Sequence, residues 1–489
     1  MPGYDTDFEG VSGQPEAFLS VINKDAFVSV TTFFNHFVPH KEPPLALDIR
    51  SPPEFITRED LRGDRFDIQG IDWALRNTTR ANVRSRRAAY EESRLEAKQL
   101  EVRERIEATP NRDNYYSFKR LNTNHQVFIP HFQLRNLLTA TSHDDIYYAE
   151  RDLVLRTDAS GGAATVIQNL TKERFEGNRF TITTLASSDD VLIAGGFEGE
   201  YAVTHLSSCI DTPTTIGHIN CRSRESKSHI TNHIHLSHSR HNYSPQAVLS
   251  SNDNRLRVLD ICTDTFLDCF TYTHAVNCSA TSPNGQMRVV VGDFRETLIT
   301  DARTGRHFEA LRTHTDDAFA CDWADDGIHV ATAAQDSTIV IWDARNWRTP
   351  LKTMRSELSI PRTLKFSPIG GGPRTLISAE ADDYVNIINA QTFESRQVLD
   401  FFGRVGGVSM TPDGSSLFVA NTEPTFGGIM EFERCGWGER RQSPYGDDFE
   451  NDGVVADWAS DEQMEIDSRV VCGLHARDRR GLDLGNVMV

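Results

Sequence analysis

The chain repeats itself at an interval of about 40 residues, and this period constrains its fold more than any other feature. The segment 313–345, THTDDAFACDWADDGIHVATAAQDSTIVIWDAR, is a series of short β-branched runs separated by Asp/Gly turns and closed by Trp342 and Asp343. Upstream, His274 leads into a run that ends at Asp301, and SPQAVLSSNDNRLRVLD ends at Asp260. Downstream, LKFSPIGGGPRTLISAEADDYVNIIN ends at Asn389. Each unit is displaced from its neighbour by about one period, so these units lie in register. Looser units with the same strand and turn rhythm cover 136–158 and begin again at Phe180 and at Val405, which brings the count to seven. Each unit reads as a small sheet with two apolar faces that it cannot bury alone. Neighbours must therefore stack round an axis, and the last must close on the first.

The period places the ring in residues 125–440, with HQVFIP, 125–130, expected to add the outer strand of the seventh unit. Residues 1–77 read as an irregular extension, broken by Pro43, Pro44, Pro52 and Pro53. The region 78–110 is rich in helix formers and ends near Pro110, which predicts one long helix. On it Ala81, Ala88, Leu95 and Val102 fall on a narrow apolar stripe, while the companion positions Arg84, Glu91 and Lys98 are charged. That pattern suits a helix lying on the ring wall or standing in solvent better than a dimerising coiled coil. The basic run Arg80, Arg84, Arg86 and Arg87 is followed at once by glutamates and reads as a solvated face rather than a nucleic-acid patch. Residues 441–489 are dominated by acids and are expected to form a disordered tail, in which Trp458 and Met464 offer a short docking element.

In the strongest unit, His314, Thr332, Asp336 and Trp342 stand at the positions of the structural tetrad of WD40 repeats, and with them the segment resembles that family. The resemblance implies an all-β, seven-bladed WD40 β-propeller with an N-terminal helical extension and an acidic C-terminal tail. It also implies that Asp336 orients His314, that His314 bonds the Thr332 hydroxyl, and that Trp342 completes the set. A catalytic triad uses the same residue types. The spacing here is that of the repeat, so the network serves to stiffen a blade and no catalytic residue is assigned. In other units Asp293 and Asp382 keep the turn acid and His274 the histidine, with Thr300 and Ile388 in place of tryptophan. Trp342, Asp343 and Arg345 also resemble the W-D-x-R box by which some WD40 proteins dock to the adaptor of cullin-type ubiquitin ligases, with Arg345 as the contact. The segments 67–73, DIQGIDW, and 423–434, EPTFGGIMEFER, look like those of a little-characterised group of fungal and plant WD-repeat proteins.

Several function classes fall away. A formal net charge of −19 disfavours general attraction to nucleic acid. No stretch reaches the length of apolar sequence that a membrane span requires, and the first residues do not read as a secretory leader. The eight cysteines form no C-x-x-C pair, which suits reduced thiols in a cytoplasmic or nuclear protein. The cluster His229, His233, His235, His238 and His241, near Cys209 and Cys221, has no recognised metal spacing and reads as a polar strand and loop at the edge of the third blade. Gly370, Gly371 and Gly372 are followed by Pro373, so no phosphate loop is present. Asp316, Asp317, Asp325 and Asp326 lie in predicted turns. The expectation is a non-catalytic scaffold without metal or cofactor whose partners are other proteins or peptides. The alternative is a substrate receptor of a ubiquitin ligase.

Overall fold

The computed structural model describes residues 53–76, 78–175, 177–188, 190–206, 213–219 and 228–436, together with Val28, Thr32 and Phe33. The tail 441–489 lies outside the described residues, as does nearly all of 1–52. Five four-stranded antiparallel sheets and one sheet of eight strands carry the repeats. The larger sheet is two blades in one, because the 15-residue strand Arg396–Met410 is the outer strand of the sixth blade and the inner strand of the seventh. Gly403 lets it pass between them. Its φ is +125°, and a Cβ there would meet Asn421 Oδ1 at 2.5 Å.

The innermost strands of blades 1 to 5 are Leu138–Ala140, Ile182–Ser187, Thr231–His238, Val276–Thr281 and Ala318–Trp323. Blade 6 begins with Pro361–Phe366. From blade 1 to blade 6 each of these strands contacts the innermost strand of the next, blade 7 joins blade 6 where the Val405 amide donates to the Ala381 carbonyl at 3.0 Å, and Arg396–Met410 contacts Leu138–Ala140. The described residues thus form a closed seven-bladed β-propeller round a central channel. Strand alternation builds the core between blades. On Thr338–Asp343, Ile339 and Ile341 pack with Leu364, Leu376 and Ile388 of blade 6, while Val340 and Trp342 pack with Val289, Val291 and Ile299 of blade 4. The antiparallel order puts two sets of loops on one face, called the upper face below: those from outer strand to next inner strand, and those from second to third strand.

The strand that closes the ring is Tyr116–Asn122, which pairs with Gly428–Arg434 as the outer strand of blade 7, and Phe55–Thr57 adds a further strand outside it. This corrects the assignment of that role to 125–130. Those residues instead cross to blade 1, where the His125 ring meets Tyr148 Oη and the Gly162 carbonyl at 2.9 Å each. Pro130 is unsuited to a ladder. The true strand buries Tyr116 and Phe118, then shifts register between Phe118 and Arg120 before Leu121 turns inward, and this bulge hides its alternation.

The region 78–110 holds two helices rather than one, α1 (Arg80–Glu92) and α2 (Ala97–Arg105). Thr79 caps α1 by accepting from the Asn82 amide at 3.2 Å, and α1 stops at Ser93. Glu96 opens α2 through a capping box with Gln99. The break redirects the chain from the loops of blade 6 to those of blade 5, so tertiary contacts override the helix-forming composition.

Leu121 is fully buried in the seventh blade, in the closing strand. Leu121→Ala is expected to lower unfolding free energy by about 2–5 kcal/mol, measured by urea denaturation. The same change at the exposed Leu100 of α2 is expected to cost less than about 0.5 kcal/mol.

Candidate functional site

Blade 5 carries a continuous hydrogen-bond chain. Trp342 Nε1 donates to Thr332 Oγ1 at 3.4 Å, and that hydroxyl also meets His314 Nε2 at 2.9 Å. His314 Nδ1 lies 2.8 Å from Thr338 Oγ1, which donates to Asp336 Oδ1 at 2.6 Å. The other oxygen of Asp336 accepts from the Thr315 amide at 2.7 Å and hydroxyl at 3.0 Å. His314 and Asp336 themselves approach only to 3.8 Å, so Thr338 relays between them. The sequence reading did not include Thr338; its place two residues after the turn acid is the signal for it. Burial opposes ionisation of Asp336, but the nearby His314 imidazole and bonds from Thr338 and Thr315 hold its carboxyl below the usual range. All these groups are saturated by one another, and the set ties the loop before blade 5 to the turn inside it.

Other blades solve the same problem differently. His274 is exposed and meets Thr273 Oγ1, while Asp293 accepts from Asn277 at 2.9 Å, so the two do not pair. Asp382 is buried without the histidine, and Ile388 and Thr300 are buried in place of tryptophan. In blade 6, Glu380 fastens the incoming loop by accepting from the Leu358 amide at 3.0 Å and the Ser359 amide at 2.7 Å. Burial raises its carboxyl to about 7.

The N-terminal segment roofs the upper face of blades 5 and 6. The α1 residues that face the ring are Arg80, Val83, Arg87 and Glu91, with Arg84 beside them, whereas Ala81 is exposed. Of the expected apolar stripe, Ala81 is exposed, Ala88 and Leu95 are half-buried and Val102 on α2 is buried, so on α1 the buried face is mainly the charged one. Arg87 grips Asp383 with two nitrogens, Nε at 2.6 Å and Nη2 at 3.1 Å, and donates to the Val28 carbonyl. Arg84 bridges Asp383 at 2.9 Å and Asp400 at 3.1 Å, with its guanidinium 4.0 Å from the centre of the Phe402 ring. Arg80 reaches Asp400 at 2.8 Å and Asp67 at 3.5 Å. Burial would raise Asp383, but Arg87 and Arg84 reverse this and hold its carboxyl below the usual range. Of the basic run only Arg86 remains exposed, so the reading of a solvated face is corrected for its other three members.

The loop ahead of α1 fixes its angle. Asp67 accepts from Trp73 Nε1 at 2.9 Å, and Gln69 exchanges hydrogen bonds with the backbone of Phe402 at 2.6 and 2.8 Å. Gln69 also donates to the Phe426 carbonyl at 3.3 Å. The segments 67–73 and 423–434 thus meet in space. From α2, Lys98 pairs with Asp316 at 3.0 Å, Gln99 donates to Ser337 Oγ at 3.3 Å, and Arg103 donates to the Glu357 carbonyl at 2.7 Å.

The channel is polar. The histidine-bearing segment Thr231–His238 is the innermost strand of blade 3 and lines it, which corrects its placement at the blade's edge. Its polarity follows from facing the axis rather than a neighbouring sheet. Burial drives the His235 imidazole down to about 3, so it is neutral and accepts from the Thr281 amide at 3.2 Å. Among the described residues no group of three or more His, Cys, Asp or Glu is placed to hold a metal ion, and Cys209 and Cys221 lie outside them. At the upper mouth a cavity of about 200 Å³ is lined by Arg135, Arg362, Asn232, Asn252, Asn277 and Asp293, the last accepting from Asn277, among others. Both arginines are buried, and Arg362 stacks 4.0 Å from the centre of the Phe319 ring. Burial pushes the Arg135 guanidinium down to about 10. On the lower face, Arg345 is held beside Asp343 at 2.7 Å with 70% of its side chain exposed, while Trp342 is buried.

The family model described as "WD domain, G-beta repeat" matches residues 305–343, the outer strand of blade 4 and the first three of blade 5. An uncharacterised protein of Schizosaccharomyces pombe is 25% identical over 321 residues, covering 60% of this chain and 85% of that one. A chain in the crystal structure of a mitotic checkpoint complex superposes with a TM-score of 0.50 at 18% identity, covering 68% of this chain and 94% of that one. The fold is that of a WD40-type β-propeller, with a WD40 repeat at blade 5.

Arg87→Ala is expected to destabilise the protein by about 3 kcal/mol in urea denaturation, because it removes the two-nitrogen partner of buried Asp383 and leaves that carboxylate paired with Arg84 alone. Arg86→Ala is expected to change little. The depressed carboxyl of Asp383 contributes stability in full above its ordinary pKa of about 4, and that contribution is lost as pH falls through the lower folded-state value. Asp383→Asn is expected to flatten the acid limb of a stability–pH curve.

Proposed function

We propose that the protein is a non-catalytic interaction scaffold that binds a peptide segment of a partner over the part of the upper face left uncovered by its own N-terminal segment. An acidic side chain of that peptide seats in the channel mouth between Arg135 and Arg362. The observation that carries this reading is two buried guanidiniums lining one cavity of about 200 Å³, in a chain whose formal charge is −19. Asparagine amides round the same mouth supply donors and acceptors for a peptide backbone. The blade-fastening networks and the roof hold the surrounding loops in place, so little loop ordering is needed on binding.

A second reading, a ubiquitin-ligase substrate receptor, rests on the exposed Arg345 guanidinium on the lower face. With Trp342 buried, only Arg345 and the edge of Asp343 are presented to an adaptor.

An array of acidic, neutral and basic peptides separates these readings. The intact protein is expected to retain otherwise neutral peptides that carry a single acidic side chain, with Arg362→Gln lowering retention at least about tenfold, or 1.4 kcal/mol. Equal retention by Arg362→Gln, or no preference for acidic peptides, overturns the scaffold reading in this form. Loss of a co-purified cullin adaptor on Arg345→Ala alone establishes the second reading, and an unchanged set of partners removes it.

A further inference from the structure

Two cysteines meet inside the channel wall. Cys278 lies on the innermost strand of blade 4 and Cys321 on that of blade 5, and these strands are direct neighbours in the ring. Cys278 Sγ donates to the backbone carbonyl of Cys321 at 3.5 Å, with the chain positions 43 residues apart. Both side chains are buried from bulk solvent yet line a channel cavity of about 190 Å³. His233, from the inner strand of blade 3, lines the same cavity, and its Nδ1 is buried without a hydrogen-bond partner among the described residues. A larger cavity of about 550 Å³ shares His235, Leu236, Asp322 and Lys365 with the first, so small solutes have a polar path between the two.

We propose that Cys278, with His233 as its base and Cys321 as its resolving partner, is a thiol site that reacts with a small oxidant of the hydroperoxide class entering through the channel. Burial alone would raise the Cys278 thiol, but hydrogen bonding from Cys321 and the adjacent His233 imidazole bring it well below its usual value. Burial and Cys278 raise the Cys321 thiol in turn. Cys278, the thiol beside the His233 imidazole, is assigned as the nucleophile and Cys321 as its partner.

The chemistry balances with hydrogen peroxide as the oxidant. His233 takes the Cys278 proton, and the thiolate attacks one peroxide oxygen. An S–O bond forms, the O–O bond breaks, and the departing hydroxide recovers the proton from His233 as water. The Cys321 thiol then attacks the sulfenic sulfur; the S–S bond forms, the S–O bond breaks, and a second water leaves with the Cys321 proton. Two thiols and one peroxide give one disulfide and two waters. The product staples blade 4 at the axis to blade 5, the blade that carries the complete tetrad.

The exposed Cys262 and Cys269 are internal controls in the test. The intact, folded protein is treated with a slight excess of hydrogen peroxide, quenched, alkylated under denaturing conditions and mapped by mass spectrometry. The expected result is a Cys278–Cys321 linked peptide that forms at least tenfold faster than either control is oxidised. Cys321→Ser is expected to stop at a sulfenic acid on Cys278 that dimedone traps, Cys278→Ser to leave Cys321 reduced, and His233→Gln to slow the reaction tenfold with an unchanged circular dichroism spectrum. Oxidation of Cys262 or Cys269 ahead of the pair overturns the proposal. So does a full complement of zinc in the purified protein that protects both thiols, because the cysteines are then metal ligands.

Discussion

Ring closure is the constraint from which the rest of the architecture follows. Each blade presents two apolar faces, and a stack of such sheets leaves an unpaired edge unless the last blade is completed by the first part of the chain. Here Tyr116–Asn122 does this, with Phe55–Thr57 outside it. The consequence is topological. The segment between these strands must leave the ring at blade 7 and return to it, and it does so across the upper face of blades 5 and 6 rather than through solvent. The roof is therefore tied into the fold at both ends, and its helices are short because they follow loops.

The roof is held by buried charge as well as by an apolar cluster of Ile71, Trp73, Val83, Phe402 and Phe426. A helix with a net apolar face would satisfy the docking requirement at lower desolvation cost, since a buried ion pair often contributes no more than a hydrophobic pair of the same volume. What the arginines give instead is register. Arg80, Arg84 and Arg87 each need a specific carboxylate or carbonyl, and Asp383 and Asp400 are supplied by backbone positions fixed by the blade. Sliding the helix by one turn would leave several buried ions without partners. Specificity of placement is the physical return on this arrangement.

These same residues explain what was legible in the sequence. The blades were readable because strand alternation and Asp/Gly turns are local signals repeated at a fixed interval, and His314, Thr332, Asp336 and Trp342 stood out because blade 5 departs least from the repeat. The closing strand was not, because its bulge breaks the alternation and it lies apart from the repeats in sequence. The buried face of α1 was also hidden: arginine and glutamate signal exposure unless the partner carboxylates are known, and those partners lie about 300 positions away, Asp383 being 296 from Arg87. The histidines of Thr231–His238 misled for a related reason, since an axial strand faces a polar channel and loses the apolar alternation that marks a strand elsewhere.

The contrast between roof and mouth shows how one fold treats buried cations in two ways. At the roof, burial depresses Arg87, but Asp383 and Glu91 overcome it and the guanidinium is held more firmly charged than in water. At the mouth, burial dominates for Arg135: the Phe132 and Val405 carbonyls at 2.9 and 3.1 Å and the field of Asp382 do not restore what desolvation removes, and its pKa falls to about 10. Arg135 remains protonated at neutral pH, so the deficit is stored as poorly solvated charge. A carboxylate brought to that cavity gains what the roof arginines already have. In a chain with a formal charge of −19 the surroundings oppose an acidic ligand at long range. Recognition at the mouth must then be short-range, favouring a single acidic side chain within an otherwise neutral peptide over an extended acidic tract.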